Sequence, residues 1–527
     1  MKASILFVSP RSVCFEIDSG RPFRDQMDWE VRLDDQLVRE DAANVQSLYN
    51  LRPNTAYTLR LAQQEETIAL SFRTPPEVWT LDVRAFGAAG DGLADDTQAL
   101  QAAIYACPPD GRVLVPAGTY LFTSLYFKSH VRFEIQKGAT LVAKPGRAGR
   151  AILPGFVRDF SGGKLHLGSW EGNPLDCYAG LFTLLDVEDV LIYGEGVLEG
   201  SGSVDGWWQE PKRKEGAWRP RAIFMRRCAN ITIQGITVRN SPSWTIHPLE
   251  SKSLAFYNVQ LKNPWDSPNT DGIDPESCAD VQIIGCHFSL GDDCIALKSG
   301  KISMARELGI PTERIRIRNC YMEDGHGAVT LGSEMASGIR DVEVSLCVFA
   351  RTDRGLRIKT RRGRGSLAVI EDIVFRDIEM QGVLTPFVVN MFYFCDPDGH
   401  SHYVQQKTPA DGPASALPRI GSLHFEGIKA KDCGLCGLFA YGLPEQPIEA
   451  ITLRDVELHF ASPEDRADGT KPAMLDDDDW HPGDLLYAKN VRDLLCDNVR
   501  FYSAGSDRSV LAAIETLRIS ENSCLPE

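Results

Sequence analysis

The stretch from Val281 to Lys298, VQIIGCHFSLGDDCIALK, decides the fold of this chain. Its first residues are apolar at alternate positions and a turn follows them. This pattern of a strand and a turn recurs along the chain. The recurrences begin at Ile231, Val281, Ile315, Val342, Ile373, Leu423 and Ile451. Alternation with period two indicates strands, and an irregular repeat of short strands and turns is typical of a β-solenoid. A propeller is the weaker alternative, because its blades need four antiparallel strands and a longer period.

Three of these repeats share one register. Val281, Ile315 and Val342 are each followed 17 positions later by Lys298, Gly332 and Lys359. Segments 294–299, 328–333 and 355–360 are therefore expected to stack, and the coil 272–277 fits the same frame. Side chains alternate between the two faces of a strand. The apolar rows point inward and comprise Ile273, Ile295, Val329 and Leu356, then Pro275, Leu297, Leu331 and Ile358. The rows between them point outward and comprise Asp274, Ala296, Thr330 and Arg357, then Glu276, Lys298, Gly332 and Lys359.

The same register predicts a charged patch on the outer surface. Asp271 is expected beside Asp293, and Asp292 beside His326, on strands about 4.8 Å apart. Crowded carboxylates raise the pKa of at least one of them, which allows a proton donor near neutral pH. The nearby cations can neutralise the others and hold an anionic substrate. The alternatives are a calcium site and a solvated acidic edge. A calcium site favours more oxygen ligands and no cations among them, so we predict neither a metal nor another cofactor.

The chain before this solenoid has a different pattern. Residues 1–76 contain short strands at Val13–Ile17, Trp29–Leu33, Ala56–Leu61 and Ala69–Arg73, which predict a small β-sandwich. The segment from Leu51 to Leu59 resembles the corner of a fibronectin type III module, in which the hydroxyl of a tyrosine, here Tyr57, bonds back to the backbone. Residues 74–77 predict a linker, and residues 77–527 form the second domain, which opens with a helix capped by Asp95 or Asp96.

Composition narrows the possible partners. The net charge of −16 and the pI near 5.2 argue against a nucleic-acid partner, which needs a broad basic surface. A run of about 18 apolar residues is missing, so no membrane span is expected. The start of the chain has the pattern of a strand and lacks the features of a signal peptide, so we expect a cytoplasmic protein. The 14 cysteines are scattered singly, which favours reduced thiols over a disulfide framework.

Four short motifs resemble glycoside hydrolase family 28, the polygalacturonases. They are Asn269-Thr270-Asp271, Gly291-Asp292-Asp293, Gly325-His326-Gly327 and Arg357-Ile358-Lys359, in that order. The resemblance covers roughly residues 80–500. It implies a right-handed parallel β-helix of the pectin lyase type and a pectic oligosaccharide or polysaccharide as substrate. It further implies inverting hydrolysis of α-1,4-galacturonosyl bonds.

The resemblance also assigns roles. Asp292 is the general acid, Asp271 and Asp293 hold and deprotonate the attacking water, and His326 positions the acid or tunes its pKa. An inverting pair needs about 6.5–9.5 Å between its carboxyl groups, a gap that neighbouring strands can supply. The residues expected to bind substrate are Asn269, Lys298, Arg357 and Lys359. Arg361 and Arg362 can reach a neighbouring sugar or can belong to a solvated turn. His247 and Tyr393 are either further substrate contacts or plain packing residues.

The mode of cutting is predicted from loops. Long loops at about 145–180, 203–221 and 396–420 can wall off a groove. A fibronectin-like domain before the β-helix resembles exo-acting bacterial members of the family. Together with the missing export signal, these features favour release of galacturonate from a chain end. The alternatives are an endo-acting enzyme, a hydrolase of rhamnogalacturonan or xylogalacturonan, a polysaccharide lyase, and a non-catalytic carbohydrate-binding protein.

Overall fold

The protein is described by a computed structural model that covers residues 2–461, 471–476, 485–502, 510–520 and 523, with the backbone alone for 510–516. Two all-β units follow each other along the chain. The first ends at Arg73 and the second begins at Thr80. Among the described residues, no helix is long and apolar enough to cross a membrane.

The first unit is an antiparallel sandwich, as predicted. Its strands are β1 Lys2–Val8, β2 Val13–Asp18, β3 Arg24–Leu33, β4 Gln36–Ala43, β5 Val45–Leu48, β6 Ala56–Gln63 and β7 Glu66–Arg73. A sheet of order β1-β2-β5 faces a sheet of order β4-β3-β6-β7. Alternate residues of β2, namely Val13, Phe15 and Ile17, are buried between the sheets. The Tyr57 hydroxyl accepts a hydrogen bond from the backbone N–H of Arg52 (2.8 Å), the contact expected of a fibronectin-like corner.

The second unit is a parallel β-helix, also as predicted, with three strand columns that we call A, B and C. Column A contains Thr80–Asp82, Gly111–Val115, Val131–Ile135, Glu188–Gly194, Ala229–Gln234, Lys252–Tyr257, Ala279–Ile284, Thr312–Arg318 and Ile339–Ser345. Column B contains Asp91–Asp95, Gly118–Phe122, Ala139–Ala143, Val197–Glu199, Thr237–Arg239, Gln260–Lys262, His287–Leu290, Tyr321–Asp324 and Val348–Ala350. Column C contains Leu125–Tyr126, Phe182–Leu185, Ile223–Arg226, Ile246–Leu249, Ile295–Leu297, Val329–Gly332, Arg354–Lys359, Thr385–Asn390 and Leu438–Tyr441.

The later coils have longer strands. Val369–Gln381, Ser422–Cys433 and Ile448–Phe460 each run through columns A and B, with Arg419–Ile420 pairing beside the first of them. Leu486–Tyr502 and Val510–Ile519 pair with each other and also extend column C. The short two-stranded pairs are Ile152–Leu153 with Cys177–Tyr178, and Phe156–Arg158 with Lys164–His166. The helices are Thr97–Ala106, Ile302–Glu307 and His402–Gln405, with 3-10 turns at Val83–Phe86 and Ala414–Ala416.

The predicted register is confirmed. The seven repeat starts lie in one ladder of column A, in which Ile231, Leu254, Val281, Ile315, Val342, Ile373, Leu423, Ile451 and Leu494 pair in turn. Leu254 marks a coil that the sequence pattern did not reveal. In column C, Ile295 pairs with Val329 and Val329 with Leu356, and these side chains are buried in the core.

A helix packs against the first coils of the solenoid. Thr97–Ala106 buries Leu100, Ala103 and Ile104. Asp96 occupies the cap position, but its carboxylate accepts hydrogen bonds from the N–H groups of Ala89 and Gly90 instead of from the helix. The residue that bonds to the first helical N–H, that of Thr97, is Asp95.

The predicted linker is fixed between the two units. Glu77 accepts hydrogen bonds from Arg11 of the sandwich and lies 3.5 Å from the guanidinium of Arg112 in the solenoid. Further along the interface, Arg318 donates two hydrogen bonds of 2.6 Å to Glu16. These paired charges attach the sandwich to the side of the solenoid formed by column A and the turns that follow it.

Replacing Leu254 by alanine tests the stacking. This side chain is buried between two other apolar residues of the ladder, so Leu254→Ala is expected to lower the free energy of unfolding by about 2–5 kcal/mol. Leu93→Ala is the matched control, because Leu93 is 84% exposed and its loss should change stability by less than about 0.5 kcal/mol. Urea unfolding followed by circular dichroism measures both, and equal midpoints for the two variants would contradict the assigned register.

Candidate active site

The turns between columns B and C bring three aspartates together. Asp271 precedes the column C position of Ile273, while Asp292 and Asp293 precede Ile295 on the next coil. Backbone bonds fix this stacking, since the N–H of Gly272 donates to the carbonyl of Asp293 (3.0 Å). One carboxylate oxygen from each of the three aspartates lies within 4.8 Å of the others. These nearest-oxygen distances are shorter than the predicted gap of about 6.5–9.5 Å, which refers to whole carboxyl groups.

Asp293 is held by two cations from a later coil. One carboxylate oxygen accepts a hydrogen bond from Arg357 (3.1 Å) and the other from Lys359 (2.8 Å). Burial raises the pKa of Asp293, but Lys359 and Arg357 outweigh burial and hold this pKa far below its ordinary value. Asp293 is therefore an ionised carboxylate with a fixed orientation.

Asp292 and His326 form a pair at the opening of the site. The imidazole Nδ1 lies 3.2 Å from a carboxylate oxygen of Asp292. The side chain of Asp292 is 19% exposed and that of His326 is 53% exposed, whereas Asp271 and Asp293 are almost completely buried. Burial raises the pKa of Asp292, yet the hydrogen bond with His326 outweighs it and leaves this pKa below its ordinary value. The same hydrogen bond raises the pKa of His326.

Asp271 has the opposite electrostatic environment. Burial, followed by the charges of Asp274 and Asp292, raises its pKa well above the ordinary value. Burial also raises the pKa of Asp274 to about 7. The ammonium of Lys298 lies 3.5 Å from a carboxylate oxygen of each. Two buried carboxylates beside one cation titrate as a coupled pair, and the pKa of each is raised above the ordinary value.

Two glycines of the motifs are required by close packing. A Cβ on Gly327 would lie 2.4 Å from the hydroxyl of Thr330 and 2.9 Å from a carboxylate oxygen of Asp293. A Cβ on Gly291 would lie 2.3 Å from the carbonyl oxygen of Ser267. Such distances are shorter than van der Waals contact, so only glycine allows the turns to stack this tightly.

The predicted outward rows do leave the solenoid core, but they are covered. Asp274, Glu276, Lys298, Arg357 and Lys359 are all buried. The cover over Lys298 comes from Glu334 (3.7 Å) and the ring of Trp244 (4.3 Å). The sulfur of Met474 lies 3.6 Å from Arg357. The site is thus a pocket with an opening near Asp292, where the sequence alone predicted an open patch.

Three stacked tryptophans lie beside Lys298 on the N-terminal side of the site. The rings of Trp170 and Trp218 are parallel, with centroids 4.7 Å apart, and Trp170 is also parallel to Trp244. The guanidinium of Arg221 lies 4.8 Å from the ring of Trp170 and 4.9 Å from that of Trp244. The loop then crosses column C, because the carbonyl of Gly172 accepts a hydrogen bond from the N–H of Lys301 (3.0 Å).

Other predicted site residues lie around this pocket. The amide oxygen of Asn269 accepts a hydrogen bond from Arg219 (2.6 Å), which fixes the start of the turn that carries Asp271. The ammonium of Lys359 lies 5.7 Å from the ring centre of Tyr393. Asn269 is therefore part of the turn that carries Asp271, and Tyr393 lies next to Lys359, which binds Asp293.

Three of the residues predicted to bind substrate contact protein groups in the structure. His247 has no exposed surface and hydrogen-bonds to Glu276 (2.8 Å). Arg362 is completely buried and pairs with Glu445 while donating to the backbone carbonyls of Tyr403, Val404 and Gln406, at the helix His402–Gln405. Arg361 pairs with Asp396 (2.9 Å) and Asp398. Arg361 and Arg362 thus pair with carboxylates of neighbouring segments, and His247 pairs with Glu276 through one ring nitrogen.

Sequence reasoning missed the groups that cover the pocket. Glu334 follows the outward position of Gly332 by two residues, a spacing that could have indicated it. Lys301 pairs with Asp396 (2.9 Å), and no local pattern signals that contact. Met474 and the stacked tryptophans come from loops whose path the strand period does not determine.

The chain is similar in sequence to known glycosyl hydrolases. A family model described as "Glycosyl hydrolases family 28" matches residues 160–404, and one described as "Rhamnogalacturonase A/epimerase, pectate lyase-like" matches residues 80–142. The chain is 31% identical over 392 residues to a protein from Vitis vinifera named "Probable polygalacturonase". That alignment covers 72% of this chain and 74% of the relative.

Two solved structures share the fold. An exopolygalacturonase from Thermotoga maritima is 27% identical, with a TM-score of 0.61 over 72% of this chain and 87% of that one. A family 28 exopolygalacturonase from Yersinia enterocolitica is 18% identical, with a TM-score of 0.74 and 99% of both chains covered. At 18% identity the similarity to the Yersinia enterocolitica structure shows the fold alone, but this similarity extends over both β units.

The contact between His326 and Asp292 predicts a titration. Because the contact raises the pKa of His326, this pKa should lie above about 6.5 in the protein and fall toward that value in Asp292→Asn. NMR of ¹³C-labelled histidine measures both, and His130→Gln, a substitution in an exposed turn, is the control that should leave His326 unchanged. The pair stabilises the fold most between the unfolded pKa values of about 3.9 and 6.5, and this contribution is lost as the pH rises through the folded pKa of His326. An unshifted His326 in the wild type would show that the pair is not formed.

Proposed function

The chain belongs to family 28 of the glycosyl hydrolases, and we propose that it hydrolyses α-1,4-galacturonosyl bonds and releases galacturonate units from a chain end. The observation that carries this proposal is the convergence of Asp271, Asp292 and Asp293 within 4.8 Å, beside Arg357 and Lys359. Carboxylates supply the acid and the base of glycoside hydrolysis. The cations select a sugar that carries a carboxylate.

Asp292 is the proposed general acid. It is the most exposed of the three aspartates, so a glycosidic oxygen can reach it. In the free protein the pair with His326 keeps its proton mainly on the imidazole, because the pKa of Asp292 is lowered and that of His326 is raised. An anionic sugar bound beside Asp292 raises the pKa of this carboxyl group. The proton can then pass from His326 across 3.2 Å to Asp292 and on to the leaving oxygen.

Asp271 and Asp293 are proposed to hold the attacking water. Two hydrogen bonds of about 2.8 Å can bridge oxygens up to about 5.6 Å apart, so oxygens that lie within 4.8 Å of each other can share one water. Asp293 is a weak base, because two cations stabilise its charge. Asp271 has the raised pKa and accepts the proton in this scheme. Attack from the face opposite the leaving group inverts the anomeric centre and yields the β-anomer.

Arg357 and Lys359 keep donors for the substrate. Arg357 uses one Nη1–H on Asp293, and Lys359 uses one of its three N–H bonds there. Both side chains are slightly exposed at the pocket. A sugar carboxylate can therefore bind to their remaining donors without displacing Asp293.

The blocked groove supports the exo mode. Trp244, on which Trp170 stacks, lies two residues before the column C strand Ile246–Leu249, and this strand lies one coil before Asp271. A chain that enters past Asp292 meets this barrier after the reaction centre, so little room is left on that side. The barrier is held by the hydrogen bond from Lys301 to Gly172 and by the charge of Arg221 between two rings.

Hydrolysis of a reducing-end-labelled hexagalacturonate tests reaction and mode together. The proposal expects labelled products that shorten by one sugar at a time, free galacturonate as the first unlabelled product, and β-anomer in early NMR spectra. Asp292→Asn should lower kcat by about 10²–10⁴-fold, the usual contribution of a general acid.

The other outcomes each identify an alternative. Mid-length fragments appearing first would mean endo cleavage. Unsaturated products that need a divalent cation, absent in EDTA, would mean a lyase. Turnover only of rhamnose- or xylose-containing pectin would mean that the substrate is rhamnogalacturonan or xylogalacturonan. Release of the α-anomer would exclude an inverting mechanism.

The pKa shifts predict the pH profile of kcat/KM. Activity requires a deprotonated Asp271, whose pKa is raised, so the acid limb should lie above the ordinary aspartate value of about 3.9. Asp274→Asn removes a neighbouring charge that raises this pKa and should move the acid limb to lower pH. Glu16→Gln, at the interface between the two units, is the control and should leave the profile unchanged. An acid limb that stays in place in Asp274→Asn would exclude Asp271 as the titrating base.

A further inference from the structure

Trp265 is an exposed tryptophan on a turn that touches the motif of the candidate acid. Its side chain is 74% exposed, although burying an aromatic ring is strongly favourable. The turn 263–270 leads directly to Asp271. Most large apolar side chains of this protein are buried in the solenoid core, so this exposed ring is unusual in its position.

The backbone of this turn packs against the turn of the candidate acid. A Cβ on Gly291 would lie 2.8 Å from the carbonyl oxygen of Pro264 and 2.3 Å from that of Ser267. Gly291 immediately precedes Asp292, and Pro264 immediately precedes Trp265. Trp265 is therefore positioned at the rim of the opening through which a glycosidic oxygen reaches Asp292.

The turn is also rigid. The side chain of Asn263 accepts a hydrogen bond from the N–H of Ser241 (2.7 Å) and donates to Thr245 (3.1 Å). The N–H of Ser267 donates to the carbonyl of Pro264 (3.0 Å), and its hydroxyl contacts that of Thr270. A ring presented on such a backbone can bind a ligand with little loss of conformational entropy.

We propose that Trp265 is a stacking platform for a pyranose ring of the substrate at the entrance of the pocket. The C–H groups on one face of a pyranose form an apolar surface that can lie against an indole ring. Asp266 is exposed beside Trp265, and its charge disfavours a uronate carboxylate at the same place. The contact therefore involves the ring face, and the carboxylates of the substrate are bound elsewhere, by Arg357 and Lys359. This inference rests on the proposed function and extends it to one further binding residue.

Steady-state kinetics on trigalacturonate tests the platform. Trp265→Ala is expected to raise KM about five- to tenfold, the range of an aromatic contact, with kcat changed by less than about twofold. Trp265→Phe keeps a ring and should fall between the wild type and Trp265→Ala. Trp79→Ala is the matched control, since Trp79 is 63% exposed and lies before the first coil of the solenoid. Thermal unfolding of each variant shows whether its fold is intact.

The outcomes separate this inference from the proposed function. An unchanged KM in Trp265→Ala, or an equal rise in Trp79→Ala, overturns the platform while leaving hydrolysis in place. Calorimetric binding of trigalacturonate to Asp292→Asn, with and without Trp265→Ala, gives a second readout that does not need turnover. A five- to tenfold loss of affinity there supports the platform even if the wild type fails to hydrolyse the sugar, a result that would overturn the proposed function alone.

Discussion

The parallel ladder between successive coils is the constraint on which the rest of this structure depends. Each coil repeats the backbone of the previous one at a spacing of about 4.8 Å, so residues far apart in sequence become neighbours at fixed separations. Asp271, Asp293 and Arg357 lie on three different coils, and their contacts exist because the coils stay in register. The apolar rows that hold the register are the buried inner faces of the same strands that carry the charged groups.

This arrangement concentrates charge without leaving it unbalanced. Asp293 is neutralised by Arg357 and Lys359, and Lys298 lies between Asp271, Asp274 and Glu334. Burial alone would raise the pKa of every one of these carboxylates. The cations act unequally on these carboxylates, because Lys359 and Arg357 lower the pKa of Asp293 whereas the pKa values of Asp271 and Asp274 stay raised. Groups of one chemical type thereby gain different properties, as acid and base chemistry at one site requires.

The loops determine how a substrate can approach this centre. They come from the turns between columns B and C and from those that follow column C, where the ladder places no limit on length. Trp170 and Trp218 belong to two such loops, and the ring of Trp170 stacks on both Trp218 and Trp244. The same turns place Asp292 and Trp265 at the opening. The ladder therefore fixes the reaction centre, whereas the loops decide the shape of the pocket around it.

The sequence by itself determined the solenoid, the sandwich and the convergence of Asp271, Asp292, Asp293, His326, Arg357 and Lys359. It could do so because strand alternation and the register of the repeat can be read from the sequence. Together they place equivalent residues of successive coils side by side. Only the tertiary structure decided that His247 and Arg362 are buried against protein partners, and that Glu334, Met474 and the stacked tryptophans cover the outward rows. Those contacts join loops of irregular length, and their energies depend on side chains that meet only after the whole chain has folded.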